Sequence, residues 1–244
     1  MTIAFSHGTA AKFYLHNFDM SGYIEGIEME LGRESAEIKA QGTTNVSRVA
    51  GLRNGSVALT GGAAGMGAGE SDVWVFGRRA DTVPRAFAFL PYGDLLNKGV
   101  YLGQVWQNSQ KRVAGNDAVR LPVALISTSH MERGLILRAL AAGGESPGSK
   151  SPASGGASSN FGGAGYLLVT ALTGTLTVSI EDSANGTDDW QPIIEFTAQT
   201  SGGPLSQVKE CATPTTTVRA YTRVSWTLPS GAATWFAAFA RRTH

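Results

Sequence analysis

The sequence predicts an all-β protein, with at most a short helix, built as two β-sandwich-like domains. Three observations carry that prediction. Apolar residues alternate with polar ones in short runs, the period of a strand with one dry and one wet face. Glycine is abundant, at 31 of 244 residues, while charged residues make up only 16%, a balance that suits short strands joined by turns. The apolar share, 42%, is too high for a disordered chain.

Taken in order, Gly26–Leu31 (GIEMEL) sets Ile27, Met29 and Leu31 on one side and Gly26, Glu28 and Glu30 on the other. Ala36–Ala40 (AEIKA) resumes the alternation after a break at Gly32–Ser35, and the two runs are expected to form a β-hairpin. A third strand is expected at Gly55–Gly61, with Arg53-Asn54-Gly55 supplying turn chemistry before it. The glycine-rich run Gly61–Gly69 lacks a following GK[ST] and a strand-then-helix frame, so it is expected to be a loop rather than a phosphate cradle. Further strands are expected at Asp72–Phe76, Arg85–Leu90, Val100–Trp106, Arg120–Ser127 and Gly134–Leu140, with a helical turn at Pro91–Lys98. The Leu- and Ala-rich Gly134–Leu140 has equal helical propensity, and its place in a strand series favours strand.

The stretch Ala142–Gly165 is nearly all Gly, Ser, Ala and Pro. It buries little apolar area against its ordering entropy and is expected to be a tether. This places an N-terminal domain at 1–141, a linker at 142–164 and a C-terminal domain at 165–244. In the last, Thr175–Ile180 (TLTVSI) points Leu176, Val178 and Ile180 inward, and a turn with Asn185-Gly186 at its tip follows. Trp190–Thr197, Val218–Trp226 and Thr234–Ala240 continue the series, which suggests an Ig-like or jelly-roll sandwich.

The charge and the motifs exclude much. A net charge of +1 offers no general attraction to nucleic acid or acidic membranes. Cys211 is alone, so no intrachain disulfide is available, and it is expected to be a small, half-buried apolar residue. The N-terminus lacks the pattern of a secretory signal and no run approaches the length of a spanning helix, so a soluble chain made in the cytoplasm is expected. His7, His16, His130 and His244 belong to no metal-binding spacing, and no nucleophile elbow occurs. No catalytic residue, metal ligand or cofactor site is therefore expected.

Two sets of residues stand out as candidates for binding. Glu28 and Glu30 share a wet strand face, a place for a cation, for acid–base chemistry or simply for solvated charge. Arg219, Tyr221 and Arg223 offer an aromatic ring between two cations, an arrangement able to stack on a sugar, while Trp190, Trp226 and Trp235 are expected in the core. The Asp182, Asp188 and Asp189 cluster lacks calcium-loop spacing and is expected to be a turn held by Asp and Asn side chains.

The order of motifs adds a resemblance. His7-Gly8 followed by Asn17-Phe18-Asp19-Met20-Ser21-Gly22, then Glu34–Thr43 (ESAEIKAQGT) and Ala50–Gly61 (AGLRNGSVALTG), resembles the opening of major tail proteins of siphophages of actinobacteria. The chain departs from that pattern with Glu34 for Asp, Ala40-Gln41 for a Thr pair and Asn54 for Asp. Its second half, through Asp182–Trp190 and Arg219–Trp226, looks like an accessory sandwich appended to such proteins, with one extra residue in Arg219-Ala220-Tyr221.

The resemblance implies a tail-tube-like β-sandwich or barrel that assembles into stacked hexameric rings around a tape-measure protein and later conducts DNA without specific binding. It implies a virion protein that meets other tail proteins and no membrane, with the C-terminal sandwich outside and host-surface glycans as a further contact. Glu28 and Glu30 would then face the lumen and repel phosphates. Two rivals share the same parts: another virion component, such as a capsid decoration or tail-tip protein, and a carbohydrate-binding module. An enzyme would need a site that the sequence lacks.

Overall fold

A computed structural model of the chain describes residues 2–6, 10–16, 18–38, 47–62, 84–111, 113–114, 119–120, 122–128, 131–143, 148–149, 153–200 and 205–242. The protein is all-β, and among the described residues there is no helix. In chain order the first strands are β1 (Thr2–Ser6), β2 (Lys12–Leu15), β3 (Phe18–Asp19), β4 (Ile24–Ile38), β5 (Ser47–Gly61) and β6 (Arg85–Leu90). Next come β7 (Gly99–Gln110), β8 (Val113–Ala114), β9 (Val119–Arg120), β10 (Val123–Ser127), β11 (Glu132–Gly143), β12 (Gly148–Ser149) and β13 (Ala153–Ser154). The remainder are β14 (Gly163–Thr173), β15 (Thr175–Ser183), β16 (Gln191–Glu195), β17 (Gln199–Thr200), β18 (Leu205–Glu210), β19 (Tyr221–Thr227) and β20 (Ala232–Arg241).

Two compact units interleave along the chain. The first takes Met1–His7, Tyr23–Arg85 and Gln104–Met131, and the second takes Gly8–Gly22, Ala86–Gly103 and Glu132–His244. This division differs from consecutive boundaries at 141 and 165, because β11 pairs along its length with β20 from the far end of the chain.

In the first unit the antiparallel order is β1, β4, β5, β10 and the second half of β7. The partner of β4 is not the nearby 36–40 run but β5, with Met29 opposite Val57 and Glu28 opposite Ala58. The Gly32–Ser35 break expected from sequence is a register shift inside one strand, between Arg33 and Ser35. Asn54-Gly55, expected as a turn, also lies within a strand. Its glycine is required because a Cβ at position 55 would come within 2.9 Å of the Glu30 carbonyl oxygen. Alternation sorts the faces: Ile27, Met29, Val57, Leu59, Val123 and Leu125 are buried. The expected strand Asp72–Phe76 lies outside the described residues.

The second unit is a sandwich with a further layer. Its central sheet orders the first half of β7 with β11, β20, β14 and β18. One face of that sheet (Leu137, Leu167, Val169, Trp235, Ala237 and Phe239) packs on Leu176, Val178, Ile180, Val224 and Trp226 of a second sheet ordered β12, β19, β15 and β16. The other face (Ile136, Tyr166, Leu168, Phe236, Ala238) packs on Tyr14, Ala86, Ala88 and Leu90 of the paired strands β2 and β6. Both faces of the central strands are therefore dry.

Within the expected tether, Ala153 and Ser154 pair with β19, Ser159 bridges Val218, and Gly163 opens the central strand β14. Small residues here permit close sheet contact rather than slack. The expected helical turn at Pro91–Lys98 is a pair of tight turns, with Gly93 N–H donating to Leu90 O (3.2 Å) and Lys98 N–H to Leu95 O (3.2 Å).

Candidate functional site

Glu28 and Glu30 lie on β4 with exposed side chains, while Ile27 and Met29 between and before them are buried on the opposite face. The register carries their row across the sheet. Glu30 faces Ser56, Ser56 faces Ile126, and Ile126 faces Trp106. Glu28 faces Ala58, which faces Ala124. The open face of the first unit thus pairs carboxylates at one side with short side chains in the middle and an exposed Ile126 and Trp106 (44% exposed) at the other. Sequence reading found the two glutamates from their alternation. It missed Ser56, Ile126 and Trp106 because only the cross-strand register brings them into the same rows.

The edge of this sheet is also informative. β1 pairs with β4 from Thr2 opposite Glu30 to Ser6 opposite Gly26, and no other described strand pairs with β1. A strand with one bare side offers backbone donors and acceptors to another chain.

Arg219, just before β19, and Tyr221 and Arg223, within it, all reach the turn that follows β15. The Arg219 backbone N–H and Nε donate to the two Asp182 carboxylate oxygens at 2.8 and 2.7 Å, and Nη1 donates to Asp189 Oδ2 at 2.5 Å. Its Nη2 donates to the Asp182 and Asp189 carbonyls at 2.6 and 2.8 Å. Every guanidinium nitrogen is thereby spent on the turn. Arg223 donates Nε to Glu181 (2.7 Å) and lies 4.1 Å from the centre of the Trp190 ring. Tyr221 covers Gly186, whose φ of 77° gives the turn its left-handed step.

The turn itself is held by its own polar side chains. Ser183 Oγ accepts the N–H groups of Asn185 and Gly186 at 3.2 and 3.1 Å, and Asn185 Oδ1 accepts those of Thr187 and Asp188 at 2.9 and 3.2 Å. The three aspartates serve as turn and arginine partners. Of the three tryptophans expected in the core, Trp226 and Trp235 are buried and meet edge to face, with Arg138 lying 4.3 Å from the Trp235 ring centre; Trp190 is half-buried. Burial pushes the Cys211 thiol up to about 11, and its side chain sits in the sandwich core.

The motif Asp19-Met20-Ser21 closes the hairpin of β2 and β3. Asp19 Oδ1 accepts from Ser21 N–H (2.9 Å) and from its hydroxyl, and Ser21 Oγ accepts the Phe13 N–H at 2.9 Å. His16 Nδ1 is within 2.7 Å of Ser206 Oγ. His7, His130 and His244 lie outside the described residues.

No protein-family model matches the sequence, and no curated protein matches it. Among solved structures, the chain is similar to a chain of the virion of a native gene transfer agent particle. That pair shares 12% identity at a TM-score of 0.36, over 46% of this chain and 84% of the other. It is also similar to a chain in the tail of the empty particle of that kind, at C6 symmetry (11% identity, TM-score 0.35, 45% and 80% covered). The SPP1 Dit protein, whose structure is presented as a paradigm of hub adsorption apparatus in phages infecting Gram-positive hosts, overlaps 95% of this chain and 99% of its own at 6% identity and a TM-score of 0.41. Overlaps this loose assign no function to the chain.

Proposed function

We propose that the chain is a structural virion protein of a tailed bacteriophage, a subunit of the tail tube. Its first unit closes with five copies into a ring, the rings stack, and DNA passes through the lumen. The observation that carries this reading is the first unit's sheet, in which β1 has one side that no other described strand pairs with, and whose open face carries Glu28 and Glu30 beside the short side chains of Ser56 and Ala58. A ring of such sheets satisfies each bare edge with the next subunit and leaves none to aggregate. The ordered motifs from His7 to Gly61 support the same reading.

In this assembly the partners are the chain itself, a tape-measure protein and neighbouring tail proteins, and the C-terminal sandwich stands outside the wall. The role is structural, without catalysis or a cofactor. Electron microscopy of the purified full chain tests it: hollow cylinders or hexameric rings are expected. Dispersed single subunits at all concentrations, or decoration of capsids without rings, would overturn it.

A further inference from the structure

The second unit carries a groove that the tail-tube reading does not use. Its volume is about 730 Å³, inside the range of roughly 300–1,000 Å³ typical of small-ligand sites. Three cations line it, Lys98, Arg133 and Arg241, and no carboxylate does. This concentration of charge is local, since the chain as a whole carries a net charge of only +1.

Each cation is placed by backbone. Asn97 takes a left-handed φ of 62°, and its N–H donates to Ile136 O (2.9 Å) while Ile136 N–H donates to Lys98 O (3.0 Å). That reciprocal pair fixes the Lys98 backbone one step beyond the β7–β11 ladder. Arg133 stands opposite Tyr101 in the ladder and reaches over Gly99, where a Cβ would lie 3.7 Å from its Nε. Arg241 forms the fixed wall: Nη1 donates to Ala157 O (2.8 Å) and Nη2 to Ala220 O (3.1 Å), with the guanidinium flat against Gly155. None of the three is ion-paired with a described carboxylate, whereas Arg219, Arg223 and Arg242 all are. A cation without a counter-ion beside a concave surface is a place for an anionic group to bind, and Arg and Lys together suit carboxylate or phosphate.

The rest of the lining selects the kind of anion. Tyr92 stands at the groove 62% exposed, so its ring offers an open apolar face with a polar hydroxyl at its tip. Asn97 and Ser154, both exposed, add neutral hydrogen-bonding groups. An aromatic face, neutral donors and acceptors, and uncompensated cations together match a sugar that bears an acid. We infer that this groove binds an acidic saccharide, a sugar unit carrying carboxylate or phosphate, with Lys98 and Arg133 on the acid and Tyr92 on the ring. The site is distinct from Arg219, Tyr221 and Arg223, whose groups hold their own turn. It does not depend on whether the chain forms tubes.

Isothermal titration of the full chain decides it, with four probes: trigalacturonate, a glucose phosphate, uncharged maltotriose and an oligo-dT of matched charge. Binding is expected for the first two, weakening with salt, and not for maltotriose. Lys98→Gln and Arg133→Gln each remove an exposed charge that has no side-chain partner among the described residues, so the melting temperature should hold. Each is expected to weaken binding about fivefold to tenfold. Tyr92→Ala should weaken trigalacturonate more than the single-ring phosphate. A preference between carboxylate and phosphate names the acid. The inference is overturned by no heat from either acidic sugar at millimolar concentration, by equal binding of maltotriose or oligo-dT, or by wild-type affinity in both charge variants.

Discussion

Asp94 shows how a single carboxylate can set a pH dependence in a fold. Its Oδ2 accepts the Leu140 N–H at 2.5 Å and the Tyr14 hydroxyl at 3.2 Å, while Oδ1 is buried with no hydrogen-bond partner among the described residues. Burial holds its pKa above the ordinary aspartate value, and the two donated hydrogen bonds only partly offset this. A raised folded pKa means that the native state binds the proton more tightly than the unfolded chain. That stabilisation is complete below the unfolded value of about 4 and is lost as pH rises through the folded value. Asp94→Asn keeps an acceptor for Leu140 without the charge, so urea melts should show the variant gaining on the parent as pH rises from about 4 to 7. A difference that stays constant with pH would refute this account. Asp94→Ala leaves the Leu140 N–H and Tyr14 hydroxyl unpaired and should cost about 1–3 kcal/mol at either pH.

Among the elements, legibility followed solvent. Thr175–Ile180 was readable because β15 has one dry and one wet face, with Leu176, Val178 and Ile180 buried against exposed Thr175 and Thr177. The strand β14 was not, since Tyr166 and Leu168 enter one core while Leu167 and Val169 enter the other, leaving no polar period to see. Its glycines read as slack for the same reason, yet they are where backbones meet. A Cβ at Gly163 would come within 2.5 Å of the Ala240 carbonyl oxygen, which cannot move without breaking the β14–β20 ladder. At Gly165 the nearest atoms are the tips of Ile180, Phe196 and Ile194, at 2.6–3.1 Å. Overpacking against side chains costs about 1–3 kcal/mol, so Gly165→Ala should lower the denaturant midpoint moderately and Gly163→Ala more. The reverse order would show that the sheet yields more easily than the core. The acidic face was legible in part: alternation marked Glu28 and Glu30, but their alignment with Ser56, Ile126 and Trp106 depends on a partner strand that follows a run of residues without a periodic signal.

For the whole molecule, the decisive quantity on the tail-tube reading is the charge that the first unit would turn toward DNA. Duplex DNA presents one phosphate charge per roughly 1.7 Å of axis, so a lumen lined by cations would release counterions, bind tightly and stall the genome. On the tail-tube reading, Glu28 and Glu30 of every subunit face that duplex, with only Ala58 and Ser56 beside them on the next strand. Both glutamates are exposed, and neither shares an ion pair with another described residue. Glu28→Lys/Glu30→Lys should therefore leave the subunit folded and convert an inert tube into one that retains DNA. That retention should fall steeply as salt rises, because each phosphate neutralised adds about 0.9 to the slope of log affinity against log salt. Glu28→Gln/Glu30→Gln should fall between the two. Tubes of the lysine variant that release DNA as freely as the parent would place the glutamates away from the lumen. A lysine variant that folds but forms no rings would place them in a contact between subunits instead.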